Sequence, residues 1–227
     1  FIPHLITSDS AAGGQIIDGS QIFNGEIEGG RLTRTPSSVG NRKIFTFSYW
    51  IKITGLKNQH HFQQRVDSNG SQQFGAQVVT KTSGDMDDEC FRVLAQESGN
   101  KLLLDTVATF SDEGWYHIVI AVDSTQSSSS DRINLYVNGS QVTSFGTETY
   151  PSLNGDCQFN STVSHQLGSG TVEYFEGSMT QVYFIDGQQL DASYFGFTDG
   201  LTNTWRPKKY TGTFGTNGYF LPMDGNS

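Results

Sequence analysis

Between residues 42 and 55 the chain reads RKIFTFSYWIKITG, with an apolar side chain at every second position. Successive side chains of a strand point to opposite sides. Phe45, Phe47, Tyr49, Ile51 and Ile53 therefore share one face, and Thr46, Ser48 and Lys52 the other. Trp50 interrupts the polar face, which predicts partial cover there too. The same period groups Tyr116, Ile118, Ile120 and Val122 in residues 115–122, and Ile133, Leu135 and Val137 in 132–138. Asn138-Gly139 closes the second run; the pair suits a type I′ turn, whose central residues both need positive φ. The intervening DSTQSSSSD is polar and low in complexity, a solvated connector with nothing to bury. Residues 177–188 predict another strand, with Met179, Gln181, Tyr183 and Ile185 alternating against Thr180, Val182 and Phe184.

Weaker runs lie at 20–25, on both sides of Asn69-Gly70, and around the Ser-Gly-Asn turn of ECFRVLAQESGNKLLLDTVATF. DASYFG (191–196) predicts one helical turn capped by Asp191. The tail from Trp205, with its glycines, Pro207 and aromatics, predicts an irregular edge. No longer stretch has a helical period. The fold class expected is all-β: a two-sheet antiparallel sandwich or jelly roll, with at most short helical turns. Residues 1–15, ending in AAGGQ, read as an arm or linker, 16–222 as one domain and 223–227 as a C-terminal end. Composition agrees, since 16 Phe and 9 Tyr stand against 7 Ala, and aromatics favour strands where Ala favours helices.

The net charge of −9 arises from 14 basic and 23 acidic residues, and no basic run exceeds Lys208-Lys209. A nucleic-acid groove would need a positive stripe. No apolar stretch approaches the ~20 residues of a membrane span. FIPHLITSDS has no Met, basic n-region or long apolar h-region, so it is not an intact signal peptide.

Two acids on one strand face stand two or four residues apart, and Glu26/Glu28 and Glu173/Glu176 come closest to that, both beside glycines; solvated turn acids are the plainer reading. Asp85, Asp87, Asp88 and Glu89 crowd hard oxygen ligands into one stretch, a candidate calcium site without an EF-hand pattern. His60 and His61 are adjacent, so in a strand they face apart. His117 reads as a hydrogen-bonded sheet residue, and His4 and His165 have no Cys or acid at ligand spacing. No G-x-S-x-G elbow is present. Cys90 and Cys157 leave two readings open, one disulfide or two buried free thiols. Asn69, Asn138 and Asn160 head N-x-S/T triplets. Trp205 and Tyr210 are candidate glycan-stacking residues, with core plugs as the plainer reading.

RLTRTPSSVGNRKIFTFSYWIK, followed by GWYHIVIAVDSTQSSSSDRINLYVNGSQVTSF, resembles the laminin-G-like, concanavalin A-like jelly roll. VYFIDGQQLDASYFG and WRPKKYTGTFGTNGYFL resemble more narrowly the version found in tailed-phage, especially marine-phage, tail-fibre and minor virion proteins. The resemblance implies a noncatalytic virion structural protein: an exposed tail fibre, spike or capsid decoration. Its partners would be other virion proteins, copies of itself as a homo-oligomer, and host-surface glycans, with no nucleic acid and no membrane insertion. It carries over no catalytic set, and the calcium site of some laminin-G domains maps onto no residues beyond the nearby acidic stretch. Two alternatives remain: a secreted, calcium-dependent lectin-like carbohydrate-binding module, and, more distantly, a sandwich-fold glycoside hydrolase.

Overall fold

The alternation around Phe47 becomes the middle of the fold. The computed structural model describes residues 14–25, 30–54, 58–65, 73–80, 89–97, 100–110, 114–169 and 173–224. Its first strands are β1 (Gln21–Asn24), β2 (Leu32–Arg34), β3 (Ile44–Ile53), β4 (Gln59–Arg65), β5 (Gln73–Thr80), β6 (Glu89–Glu97), β7 (Asn100–Thr109) and β8 (Trp115–Asp123). There follow β9 (Ile133–Val137), β10 (Ser140–Gln141), β11 (Phe145–Thr149), β12 (His165–Leu167), β13 (Glu176–Asp186), β14 (Gly196–Thr198), β15 (Trp205–Pro207) and β16 (Tyr219–Leu221). Two single 3-10 turns, Ser130–Arg132 and Ala192–Tyr194, are the helical content of the described residues.

One sheet has the order β1-β13-β3-β8-β9-β10, with β16 also paired to β13; the other runs β11-β7-β6-β5-β4-β12-β2. Neighbouring strands are antiparallel throughout. Inner faces meet ring against ring: Phe47 lies 4.3 Å from Phe62 and Phe45 5.3 Å from Phe74, centroid to centroid. Phe45, Phe47, Tyr49, Ile51 and Ile53 are all fully buried there, and each such side chain contributes about 1.5–3 kcal/mol by leaving water. The expected sandwich is present.

The phase expected for β13 holds only in its first half. Gln181 has φ 50°, and the register against β3 slips by one residue between Thr180 and Tyr183. This bulge lets two residues oppose one and reverses the side facing inward. Val182 and Phe184 consequently join Met179 in the core, while Tyr183 and Ile185 point to the sheet's other side.

Part of that other side is also covered by apolar packing. Val119, Tyr183, Ile185, Leu190, Ala192, Phe195 and Tyr210 form a second cluster. The tail, expected as an edge, is therefore partly a third layer over the first sheet. Its anchor is the Asp186 carboxylate, which accepts from the Asn41 amide at 2.8 Å, Asn160 Nδ2 at 2.6 Å and the Asn217 amide at 3.1 Å. Asn217 Nδ2 also donates to Asn160 Oδ1 at 2.8 Å. FIDGQ and GTNGYFL, far apart in sequence, thus meet at one buried carboxylate.

Local predictions hold where the chemistry is local. Asn138 and Gly139 have φ 48° and 83°, as a type I′ turn requires. Asp191 caps the turn at 192–194 by accepting from the Ser193 amide at 2.8 Å. The serine-rich connector is more organised than a tether: the Arg132 guanidinium donates to the carbonyls of Gln126, Ser127 and Pro151 at 2.8–3.0 Å. Cys90 and Cys157 are both buried free thiols, so the disulfide reading falls. The core covers them as it would any small apolar side chain.

Candidate functional site

The second sheet keeps a polar outer face. Phe74, Ala76 and Val78 on β5, Phe91, Val93 and Ala95 on β6, and Leu102 and Leu104 on β7 turn inward, so the residues between them turn out. Register then sets four of these side by side across β4 to β7: His60 opposite Gln77, Gln77 opposite Arg92, and Arg92 opposite Asp105. A register shift between His60 and Phe62 separates the two histidines. His60 belongs to this row, whereas His61 is wholly buried between the rings of Phe91 and Phe175. The expectation that the pair faces apart is met.

An ion pair closes one end of the row and an imidazole–carboxylate contact the other. Arg92 forms a fork with Asp105, Nε to Oδ1 at 2.7 Å and Nη2 to Oδ2 at 2.8 Å, and this contact raises the guanidinium's already high pKa. Glu173 Oε2 lies 3.0 Å from His60 Nδ1, and that imidazole holds the carboxyl below the usual carboxylate range. Gln63 Nε2 stands 3.4 Å from His60 Nε2 and donates to Gln73 Oε1 at 3.3 Å. The result is a strip of amide, imidazole, guanidinium and carboxylate groups. Gln63, His60 and Glu173 hold one another at one end and Arg92 and Asp105 at the other, with Gln77 set between them by register. His60, Gln63, Gln77 and Asp105 are buried, so Arg92 and Glu173 are its more accessible members. Such a strip suits hydroxyl recognition, because a carboxylate accepts while amides and guanidinium donate in fixed directions.

Of the residues marked by sequence, Glu173 joins this strip. Glu176 does not; its amide donates to Gln59 Oε1 at 2.8 Å. Glu89 opens β6 and is buried. Asp85, Asp87, Asp88, Glu26, Glu28, Asn69 and His4 lie outside the described residues. Among the described residues no three His, Cys, Asp or Glu are grouped to hold a metal. Tyr210 is a plug, 5% exposed and packed on Tyr183, Phe195 and Phe214. Trp205 lies on β15, which pairs with β14 as a two-stranded ribbon over the first sheet, and donates through Nε1 to His117 Nδ1 at 3.0 Å. That bond fixes the neutral imidazole's proton on Nε2, which meets Ser48 Oγ at 2.9 Å. His117 therefore donates to Ser48 and cannot deprotonate it. Asn160 is fully buried, so its side chain is not presented as a glycan acceptor; Asn138 is exposed at its tight turn and accepts through Oδ1 from the His117 amide at 2.8 Å. Sequence reasoning passed over Gln77, Arg92 and Asp105; the available signal was a charge lodged in each of two apolar strands, CFRVLA and LLLDTVA.

A sandwich of this order has known relatives. The family model described as the concanavalin A-like lectin/glucanases superfamily matches residues 13–192. The chain belongs to that superfamily. Among solved structures, the heptameric SAP-like pentraxin of Limulus polyphemus superposes with TM-score 0.58 at 16% identity, covering 92% of this chain and 94% of that one. Domains LG4-5 of the mouse laminin α1 chain give TM-score 0.51 at 13% identity over 98% of this chain and 51% of that chain. Tailspike protein 2 of an Escherichia coli O157:H7 bacteriophage gives 0.50 at 15% identity, covering 82% of this chain and 28% of the tailspike. At these identities the likeness is one of fold. Comparison with curated proteins gives no match. No helix of the described residues is long and apolar enough to cross a membrane.

Proposed function

We propose that this superfamily member is a noncatalytic, glycan-binding structural protein of a virion, exposed as a tail fibre, spike or capsid decoration. The observation that carries the binding half is the oriented row His60–Gln77–Arg92–Asp105 with Glu173 at its end. A general acid must keep its proton near neutral pH. Glu173 is shifted the opposite way, towards ionisation, by His60, and Asp105 is occupied by Arg92. Glu173 is thus arranged to accept a hydrogen bond from a hydroxyl, while Asp105 fixes the direction of the Arg92 guanidinium. The virion half rests on the phage-like stretches around FIDGQ and GTNGYFL, and a location at the particle surface follows from it. Single sites of this kind are weak, so many copies on one particle supply attachment by avidity.

A glycan array probed with the chain displayed multivalently tests the reading. Retention on a subset of glycans is expected, with His60→Ala or Gln77→Ala lowering it at least about tenfold, or about 1.4 kcal/mol. No retention on any glycan would end the binding half. Hydrolysis of a glycan that disappears in Glu173→Gln would replace it with the hydrolase reading. A calcium requirement together with secretion from a cellular source would favour the lectin alternative.

A further inference from the structure

The chain has three tryptophans, at positions 50, 115 and 205, and all three line one cavity of about 390 Å³ on the outer side of the first sheet. We propose that this cavity is a second binding site, on the sheet opposite the polar row, and that it takes an uncharged pyranose.

The cavity is built by register. On the outer face of the first sheet Thr180 stands opposite Trp50, Trp50 opposite His117, and Lys52 opposite Trp115. The ribbon β14–β15 then lays Trp205 over His117. His117 stacks on both neighbours, 4.9 Å from Trp50 and 5.9 Å from Trp205 between ring centroids, at 25° and 24°. Gly139 and Gly196 leave the room that Trp205 takes, since a Cβ at either would collide with its ring. Thr180 Oγ1 binds the carbonyls of Gly19 and Pro222, both at 2.9 Å, and so holds the segment carrying Asp18 and Ser20 at the rim. The walls are thus held by contacts within the protein itself.

Trp115 is different. It is 40% exposed, and among the described residues it stacks on no other ring. A lone exposed indole needs no explanation. An exposed indole inside a recess that already contains two others, beside a carboxylate and a hydroxyl, has the make-up of a ligand site: mostly apolar lining with a few polar groups, at the small end of the usual ~300–1,000 Å³.

The rim chooses among ligands. A wholly apolar guest would desolvate Asp18 without giving it a partner, which is costly. A quaternary ammonium is drawn to indole faces, but here Lys52, opposite Trp115 on the same face, would repel it. A pyranose has an apolar C–H face for Trp115 and hydroxyls for Asp18 and Ser20, and carries no charge. The proposal shares a ligand class with the glycan reading above but does not depend on the polar row.

All indole emission of the protein arises at this cavity, so fluorescence reports on it alone. The full chain is titrated with methyl β-D-glucopyranoside, methyl α-D-mannopyranoside and N-acetylglucosamine, and with tetramethylammonium as the cationic control. A saturable change with at least one sugar is expected, with Kd on the order of 1 mM. Trp115→Ala should weaken it at least about tenfold with little change in melting temperature, Trp115→Phe should restore part, and Asp18→Asn should weaken it less. His60→Ala should leave the titration unchanged. Silence with all three sugars, saturation by tetramethylammonium alone, or Trp115→Ala titrating like the parent would overturn the proposal. A response lost in His60→Ala would also overturn it as a separate site.

Discussion

Three histidines are buried without charge. Burial depresses the pKa of His61 and His117 to about 3 and that of His165 to about 4, with His60 and Arg34 adding to the effect on His61 and His165 respectively. His61 shows why: its Nδ1 meets Tyr49 Oη at 3.3 Å, two phenylalanine rings flank it, and among the described residues no carboxylate pairs with it. In the unfolded chain each imidazole titrates near ~6.5. Between that value and the folded one, the unfolded state holds more protons, so stability falls as pH falls. The contribution is intact above ~6.5 and its loss is complete below the folded pKa values. Each group costs up to about 1.4 kcal/mol per pH unit within the window. Urea midpoints are therefore expected to drop steeply from pH 7 to pH 5, and His61→Phe should make the drop shallower by about one proton's slope. An unchanged midpoint across that range would show that these imidazoles are not buried neutral.

At the scale of elements, β13 and the strand ends around it decide most. Gln181 is the residue on which the sheet changes phase, and the change supplies apolar side chains to both of its faces. Just beyond, Asp186 joins the start of β3, the 157–161 turn and the tail through three accepted hydrogen bonds. Asp186→Ala would leave those donors buried and unpaired, at about 1–3 kcal/mol each before relaxation. A loss of about 3 kcal/mol or more is expected in urea unfolding at constant m-value, with Asp186→Asn losing less because an amide still accepts at one oxygen. A loss under about 1 kcal/mol would mean the carboxylate does not organise the tail. Two motifs that in sequence looked like marks of lineage are, in the fold, two halves of one structural joint.

At the scale of the molecule there are three layers. The superfamily match stops at residue 192, whereas the cover over the first sheet is completed by Phe195, Trp205, Tyr210, Phe214 and Phe220. A chain ended after Ala192 would expose Val119, Tyr183 and Ile185 as a contiguous apolar patch. Such a truncation should bind a hydrophobic dye, lose its cooperative melt and associate. A soluble truncation with an unaltered melting temperature would demote the third layer to an accessory. With that layer in place, the two sheets offer different surfaces, a hydrogen-bonding row on one and an indole cavity on the other.

Alternation in β3, β8 and β9, the Asn138-Gly139 turn and the Asp191 cap were legible in the chain, because each depends on side chains a few residues apart. The sandwich followed from them, since strands with one greasy face must stack. Tertiary structure alone decided the rest. Residues 60, 77, 92, 105 and 173, or 18, 50, 115 and 205, are neighbours only through strand pairing and a returning tail. The bulge at Gln181 belongs to the same class: its neighbours Thr180, Val182 and Tyr183 alternate smoothly in sequence, and only the competing demands of two packed faces select where the phase breaks. Pairing register is a sum over whole strands, and no local pattern contains that sum.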